Sequence, residues 1–176
     1  MSIIITIVSI LAGIIALIMI IALFMKKGYK TYSEIIINAP LPKAFDYIKQ
    51  IKNQDNFNKW VMVDPDMKKD FRGTDGTVGF VYAWNGNKQA GEGEQEIKAI
   101  TEGKNIEMEI RFIRPFAGIA QAEMTTESLS DNQTKVSWST ASTMKYPINI
   151  MLPMIVKMLE KDMAASLTML KNVLEK

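Results

Sequence analysis

Glu92, Glu94 and Glu96 alternate with Gly93 and Gln95. In an extended segment that spacing puts three carboxylates on one face. Clustered carboxylates can bind a cation or supply an acid. The other face of the stretch carries Ile97 and Ala99, so the glutamate row reads as the solvent side of a strand. Asp64 and Asp66 flank Pro65, where a loop explains them as well as metal ligation does. Arg111 and Arg114 have the chemistry to clamp a phosphate or carboxylate. Alternation turns Arg111 outward and leaves Arg114 beside a turn. Asn53, Gln54 and Asp55 read as a junction between helices. The chain has no His and no Cys. That excludes Ser-His-Asp and Cys-His catalysis, disulfides and the commonest metal ligand. No set of residues supplies a nucleophile, a base and an orienting group together. Neither a metal nor a cofactor is expected, and a net charge of +2 is too small to argue for nucleic acid.

The remaining candidates are apolar. Phe80, Tyr82 and Trp84 share one strand face, and Met108, Ile110 and Phe112 share another. Met124 and Trp138 belong to later strands, while Met151, Ile155, Met158 and Leu159 lie on a helix that can cover them. These side chains either line a cavity or fill a core, and periodicity does not choose between the two. Gly91 and Gly93 fall on the face of Ile97, where they leave room or mark a bulge.

The elements that must position these residues follow from pattern. Tyr32 to Asn38 alternates as a strand, ended by Ala39-Pro40-Leu41-Pro42. Ala44, Phe45, Tyr47, Ile48 and Ile51 recur at helical spacing, and Asp55 is placed to cap a second short helix carrying Phe57, Trp60 and Val61. Six strands follow. They comprise Met67 to Arg72, a strand carrying Val78 to Trp84, Gln89 to Thr101, Ile106 to Phe112, one opened by Ala120, and one carrying Val136 and Trp138. Asn85-Gly86 signals a tight hairpin between the second and third of these. Ile148 to Lys176 is a long amphipathic helix with a stripe from Leu152 to Leu174, widened by Met151, Met154, Met158 and Met169. So wide a face needs a concave partner, and an antiparallel meander supplies one.

Ile3 to Phe24 has no charged residue and is long enough to cross a bilayer as a helix. A signal peptide would want a basic start and a small-residue cleavage site, and a buried core helix would carry a polar face. Lys26, Lys27 and Lys30 follow at once, which by the positive-inside rule puts the rest of the chain in the cytoplasm. The expected organisation is a single-pass anchor and linker over residues 1–28 and one domain over residues 29–176.

The order strand, two short helices, six strands and one long helix resembles the helix-grip fold of the START-like, Bet v 1-like and polyketide-cyclase (SRPBCC) superfamily. The resemblance rests on the strand ending at Ala39-Pro40, the helix with Phe45 and Ile48, the Trp60 region, the hairpins and the closing helix. It implies an α+β domain whose curved antiparallel sheet of about seven strands wraps a C-terminal helix. It also implies a hydrophobic cavity between sheet and helix.

Three functions are compatible with this reading. The first is membrane-anchored binding of a hydrophobic small molecule or lipid, with Phe80, Tyr82, Trp84, Met108, Ile110, Phe112, Met124, Trp138, Met151, Ile155, Met158 and Leu159 as ligand-binding candidates. The second is a cyclase-like or lipid-modifying enzyme using Tyr, Asp, Glu or Arg in the pocket. The third is an interaction module whose Met-rich helix docks a protein partner, whose identity the sequence leaves unknown.

Overall fold

The computed structural model describes residues 2–176. The N-terminal helix α1 (Ser2–Phe24) is uncharged over its whole length, predominantly apolar, and long enough to cross a membrane. Met25 to Lys27 lead into β1 (Gly28–Ile37). Next come α2 (Leu41–Lys49), a 3-10 turn (Ile51–Asn56) and α3 (Lys59–Met62). Six strands succeed one another as β2 (Lys68–Arg72), β3 (Val81–Asn85), β4 (Glu92–Thr101), β5 (Asn105–Arg114), β6 (Gly118–Ser130) and β7 (Gln133–Thr143). A 3-10 turn (Ile148–Met151) opens the last helix, α4 (Leu152–Leu174).

All seven strands form one antiparallel sheet in the order β1-β7-β6-β5-β4-β3-β2. The meander from β2 to β7 therefore closes by placing β7 against β1, and the short helices bridge the two edge strands. Shifts in register between Glu92 and Gly93, and between Ile97 and Ala99, bend β4. The concave face holds α4, which gives the helix-grip architecture expected. Met163, Leu167, Leu170 and Leu174 are buried against the sheet, and Phe45 and Ile48 of α2 join the same core. At 100° per residue, Met154 and Met158 lie roughly 180° and 140° around the helix from Met163. That angle explains why they are exposed, at 62% and 53%.

Local chemistry corrects three expectations. Asn58, not Asp55, caps α3, its side-chain oxygen accepting from the Trp60 amide at 3.0 Å. β3 begins only at Val81, because the turn through Gly76 and Gly79, both at positive φ, leaves Val78 exposed ahead of it. Asn85-Gly86 does not make a two-residue hairpin, since the chain resumes pairing at Glu92. The loop between is held by Asn87, whose side chain accepts from the Gln89 and Ala90 amides while its own amide donates to Asp64.

α4 runs alongside β1 in the same direction. Thr31 donates to the Met163 sulfur at 3.3 Å, the Lys171 ammonium to the Ile36 carbonyl at 2.6 Å, and the Asn38 amide to Glu175 at 2.6 Å. The start of α4 is thus level with the end of α1. There Asn149, fully buried, donates to the carbonyls of Ala22 and Met25.

Candidate functional site

Between the concave face of the sheet and the first half of α4 lies a cavity of about 230 Å³. Its apolar wall combines Trp84 from β3, Ile110 and Phe112 from β5, Ala120 from β6, Trp138 from β7, Trp60 and Val61 from α3, and Leu159 and Met163 from α4. Alternation along the strands turns these side chains inward, and the aromatic rings brace one another. Trp60 meets Trp138 edge to face at 5.6 Å between centroids, and Trp84 meets Phe112 in the same way at 6.2 Å.

Trp84 can lie against the sheet because position 93 on β4 is glycine. A Cβ there would fall 2.8 Å from the indole ring and 2.5 Å from the Arg111 carbonyl oxygen. Gly93 thus makes space that Trp84 fills, rather than space for a ligand. Gly91 has positive φ and sits against the Arg114 carbonyl, so it belongs to the loop that ends at β4.

One part of the wall is polar. Gln95 donates to the Gln54 side-chain oxygen at 3.0 Å, and Asn58 donates to the same atom at 2.9 Å. All three amides are buried. The 3-10 turn carries Gln54 to meet Gln95 on β4. The cluster is uncharged, so it offers hydrogen bonds without the cost of a buried ion. Thr31 and Thr140 also reach the lining, and the buried Trp138 indole N–H has no acceptor among the described residues.

The ionisable groups in the lining are Tyr29 and Arg114. Burial pushes the Tyr29 hydroxyl above its usual range, with a hydrogen bond to Ser142 opposing the rise. The Arg114 guanidinium is engaged with Glu92 at 2.7 Å and with Asn85 at 2.7 Å. The raised Tyr29 hydroxyl is thus moved further from proton exchange near neutral pH.

Of the residues singled out in the sequence, Trp84, Ile110, Phe112, Trp138 and Leu159 line the cavity. Phe80, Tyr82, Met108 and Met124 sit in the filled part of the core, toward the other end of the sheet. Tyr82 donates to Asp55 at 2.9 Å, and Asp55 also pairs with Lys69. Burial raises the Tyr82 hydroxyl far above the phenol range, and Asp55 adds to the rise, so the pair is a fixed brace. Met151 and Met158 are exposed, and Ile155 is half-buried outside the lining. Gln95 was legible as an inward residue, since it falls between Gly93 and Ile97 on one strand face. Gln54 and Asn58 carried no such signal, because their facing depends on how the turn after α2 folds back.

The glutamate row lies on the outer face. Arg111 bridges Glu94 at 2.8 Å, Glu96 at 2.9 Å and Glu109 at 2.6 Å, while Arg72 meets Glu94 and Lys98 meets Glu96. The Arg111 guanidinium holds the Glu94 carboxyl below its usual range, against a smaller opposing effect of burial. Among the described residues, no group of three or more carboxylate, His or Cys side chains could hold a metal.

Comparison with known proteins agrees with this architecture. Residues 29–175 match the sequence model of a family described as polyketide cyclase / dehydrase and lipid transport. The fold is similar to norcoclaurine synthase from Thalictrum flavum, at 13% identity and a TM-score of 0.65 over 86% of this chain and 97% of that one. It is also similar to protein CV1439 from Chromobacterium violaceum, at 12% identity and a TM-score of 0.60 over 84% and 97% of the two chains. XoxI from Bacillus cereus has 12% identity and a TM-score of 0.61 over 82% and 94%. No curated protein matches the chain. Identities this low speak to the fold alone.

Proposed function

We propose, for a chain that belongs to the polyketide cyclase / dehydrase and lipid transport family, that residues 29–176 bind a hydrophobic small molecule or lipid moiety while residues 1–28 anchor the protein in a membrane. The observation that supports this most directly is the cavity wall, apolar on most sides with one uncharged amide cluster, Gln54, Asn58 and Gln95. Ligand sites for drug-sized molecules hold about 300–1,000 Å³, so a cavity of about 230 Å³ suits a small ring system or the end of one acyl chain. Trp84, Ile110, Phe112, Trp138 and Leu159 would contact its apolar body, and the amides would meet a carbonyl or hydroxyl. Among the described residues the lining holds no carboxylate, and burial raises its one tyrosine hydroxyl, Tyr29, which favours binding over acid-base chemistry. Lys26 and Lys27 directly after α1 favour a cytoplasmic domain. An anchored cavity meets membrane-derived ligands at raised effective concentration.

The test is extraction of the purified full chain with organic solvent, followed by mass spectrometry. A co-purifying amphiphile of one kind, displaced by a fluorescent fatty probe that saturates at one per chain, is the expected result. A chain that carries no such molecule and binds no probe overturns the reading.

A further inference from the structure

One end of the sheet gathers several apolar groups that the core does not use. β1 starts there, with Gly28 paired to Thr143 at the end of β7. Ala120 pairs with Ser142, so Gly118 at the start of β6 is level with Met144. The Met144 amide in turn donates to the Lys27 carbonyl at 2.8 Å. The β5–β6 turn, Pro115 to Ala117, therefore projects past the level of Lys27 toward the side on which α1 leaves. With strands about 4.8 Å apart, it lies only roughly 10–15 Å across the sheet from β1.

That turn is apolar and uncovered. Phe116 at its tip is 59% exposed, and Ile113 and Ile119 beside it are 56% and 54% exposed. Near the start of α4, on the helix face turned away from the cavity, Met154 is 62% exposed. Phe112, Arg114, Pro115 and Leu159 line the cavity. Four lysines surround the same end, with Lys26 and Lys27 after α1, Lys88 in the β3–β4 loop and Lys145 after β7 all exposed. Apolar side chains ringed by lysines suit the headgroup level of an anionic bilayer.

We propose that this end of the domain is a bilayer-contact surface, in which Phe116, Ile113 and Ile119 on one side and Met154 on the other enter the same membrane that α1 spans. The cavity mouth at this end then opens onto lipid instead of water. The inference rests on the anchoring of α1 proposed above. It adds that the domain lies against the membrane, which a tether alone does not require.

Because the chain has no cysteine, single cysteines can be placed without background. Phe116→Cys, Met154→Cys, Leu11→Cys in α1 and Asn132→Cys at the opposite end of the sheet would each be labelled with bimane. The full chain would be reconstituted in vesicles of phosphatidylcholine and phosphatidylglycerol containing a nitroxide lipid, labelled near the headgroup to read positions 116, 132 and 154 and at mid-chain to read position 11. Quenching at 116 and 154 should exceed that at 132 by about twofold or more, with iodide in water showing the reverse order. Lipid quenching at 11 with none at 116 and 154 overturns the contact surface and leaves the anchor standing. No lipid quenching at 11 removes the anchor and this proposal with it. Protection of 116 and 154 from both quenchers means that protein covers this end, which also overturns the proposal.

Discussion

Asn149 donates its side-chain amide to the Ala22 carbonyl at 2.7 Å, and so joins the turn before α4 to the last turn of α1. A second donation reaches the Met25 carbonyl at 3.2 Å. The final turn of a helix leaves carbonyls without intrahelical partners, and this side chain supplies one. Asn149→Leu keeps the bulk and removes both bonds, which should cost about 1–3 kcal/mol because the freed carbonyls stay partly buried. The expected signature is faster trypsin cleavage after Lys26 and Lys27 in reconstituted protein. Unchanged cleavage would mean that the junction is held by something else.

Cavity and core should answer differently to the same insult. Ile110 lines the cavity, whereas Ile106, two turns of the pleat away on the same face, is fully buried in the filled core. Ile106→Asp should destabilise by several kcal/mol, about the cost of an unpaired buried polar group. Ile110→Asp should cost clearly less and abolish binding of a hydrophobic probe. Urea melts of both variants check the order, and equal losses would indicate that the cavity is closed and dry.

Filling the cavity from the helix side gives the converse result. Leu159→Trp adds bulk where space exists, so stability should stay within about 1 kcal/mol while probe affinity falls at least tenfold. Met158→Trp, one residue away on the exposed side, should change neither. A loss of affinity at 158 that matched the loss at 159 would place the ligand outside the cavity.

Gly93→Ala should be costly for a one-carbon change. Its Cβ would meet the Arg111 carbonyl and the Trp84 ring at well under van der Waals distance. A penalty of about 1–3 kcal/mol in chemical denaturation is expected from overpacking. A near-neutral result would show that Trp84 and the β4 bulge can shift freely.

The charge cluster on the outer face predicts an acid response. With Arg111 present, the Glu94 carboxyl has a lowered folded pKa. Its contribution is therefore complete above the ordinary carboxylate value of about 4.3 and is lost as pH falls through the lower folded value. Arg111→Met removes the partner shared by Glu94, Glu96 and Glu109 across β4 and β5 and leaves only Arg72 and Lys98 beside the first two, so stability at pH 7 should fall modestly, as for solvent-screened pairs. The variant's stability should also fall less steeply than the parent's as pH drops below about 4.3, since the largest influence holding the Glu94 carboxylate is gone. Parallel acid-unfolding curves would refute the assigned role of Arg111.

How far the sequence could be read depended on whether a residue's surroundings were local. Ile106 to Phe112 alternates with charged residues, and β5 is where that pattern puts it. The glutamate row was readable for the same reason, because both faces of β4 were visible in one stretch. The loop after Asn85 was not. An Asn-Gly pair favours a tight turn, but Asp64, more than twenty residues earlier, captures the Asn87 amide and opens the loop. The methionines of α4 failed in another way. Helical spacing gave a stripe, yet only the extent of the sheet decides how much of that stripe is covered. β1 begins at Gly28, so the first turns of α4 have less sheet beneath them. The amide cluster needed three segments to come together, and although strand alternation turns Gln95 inward, nothing local marks Gln54 and Asn58 as buried.

Only Met25, Lys26 and Lys27 separate the last residue of α1 from the first residue of β1. Three residues can span at most about 10 Å. With α1 in a bilayer, the domain has almost no reach. It cannot swing across a gap to a second membrane or carry a ligand away into solution. Any enzyme or carrier that supplies its ligand or takes it up must come to within contact of the same membrane surface, so delivery is decided by who can approach, not by how far this protein can travel.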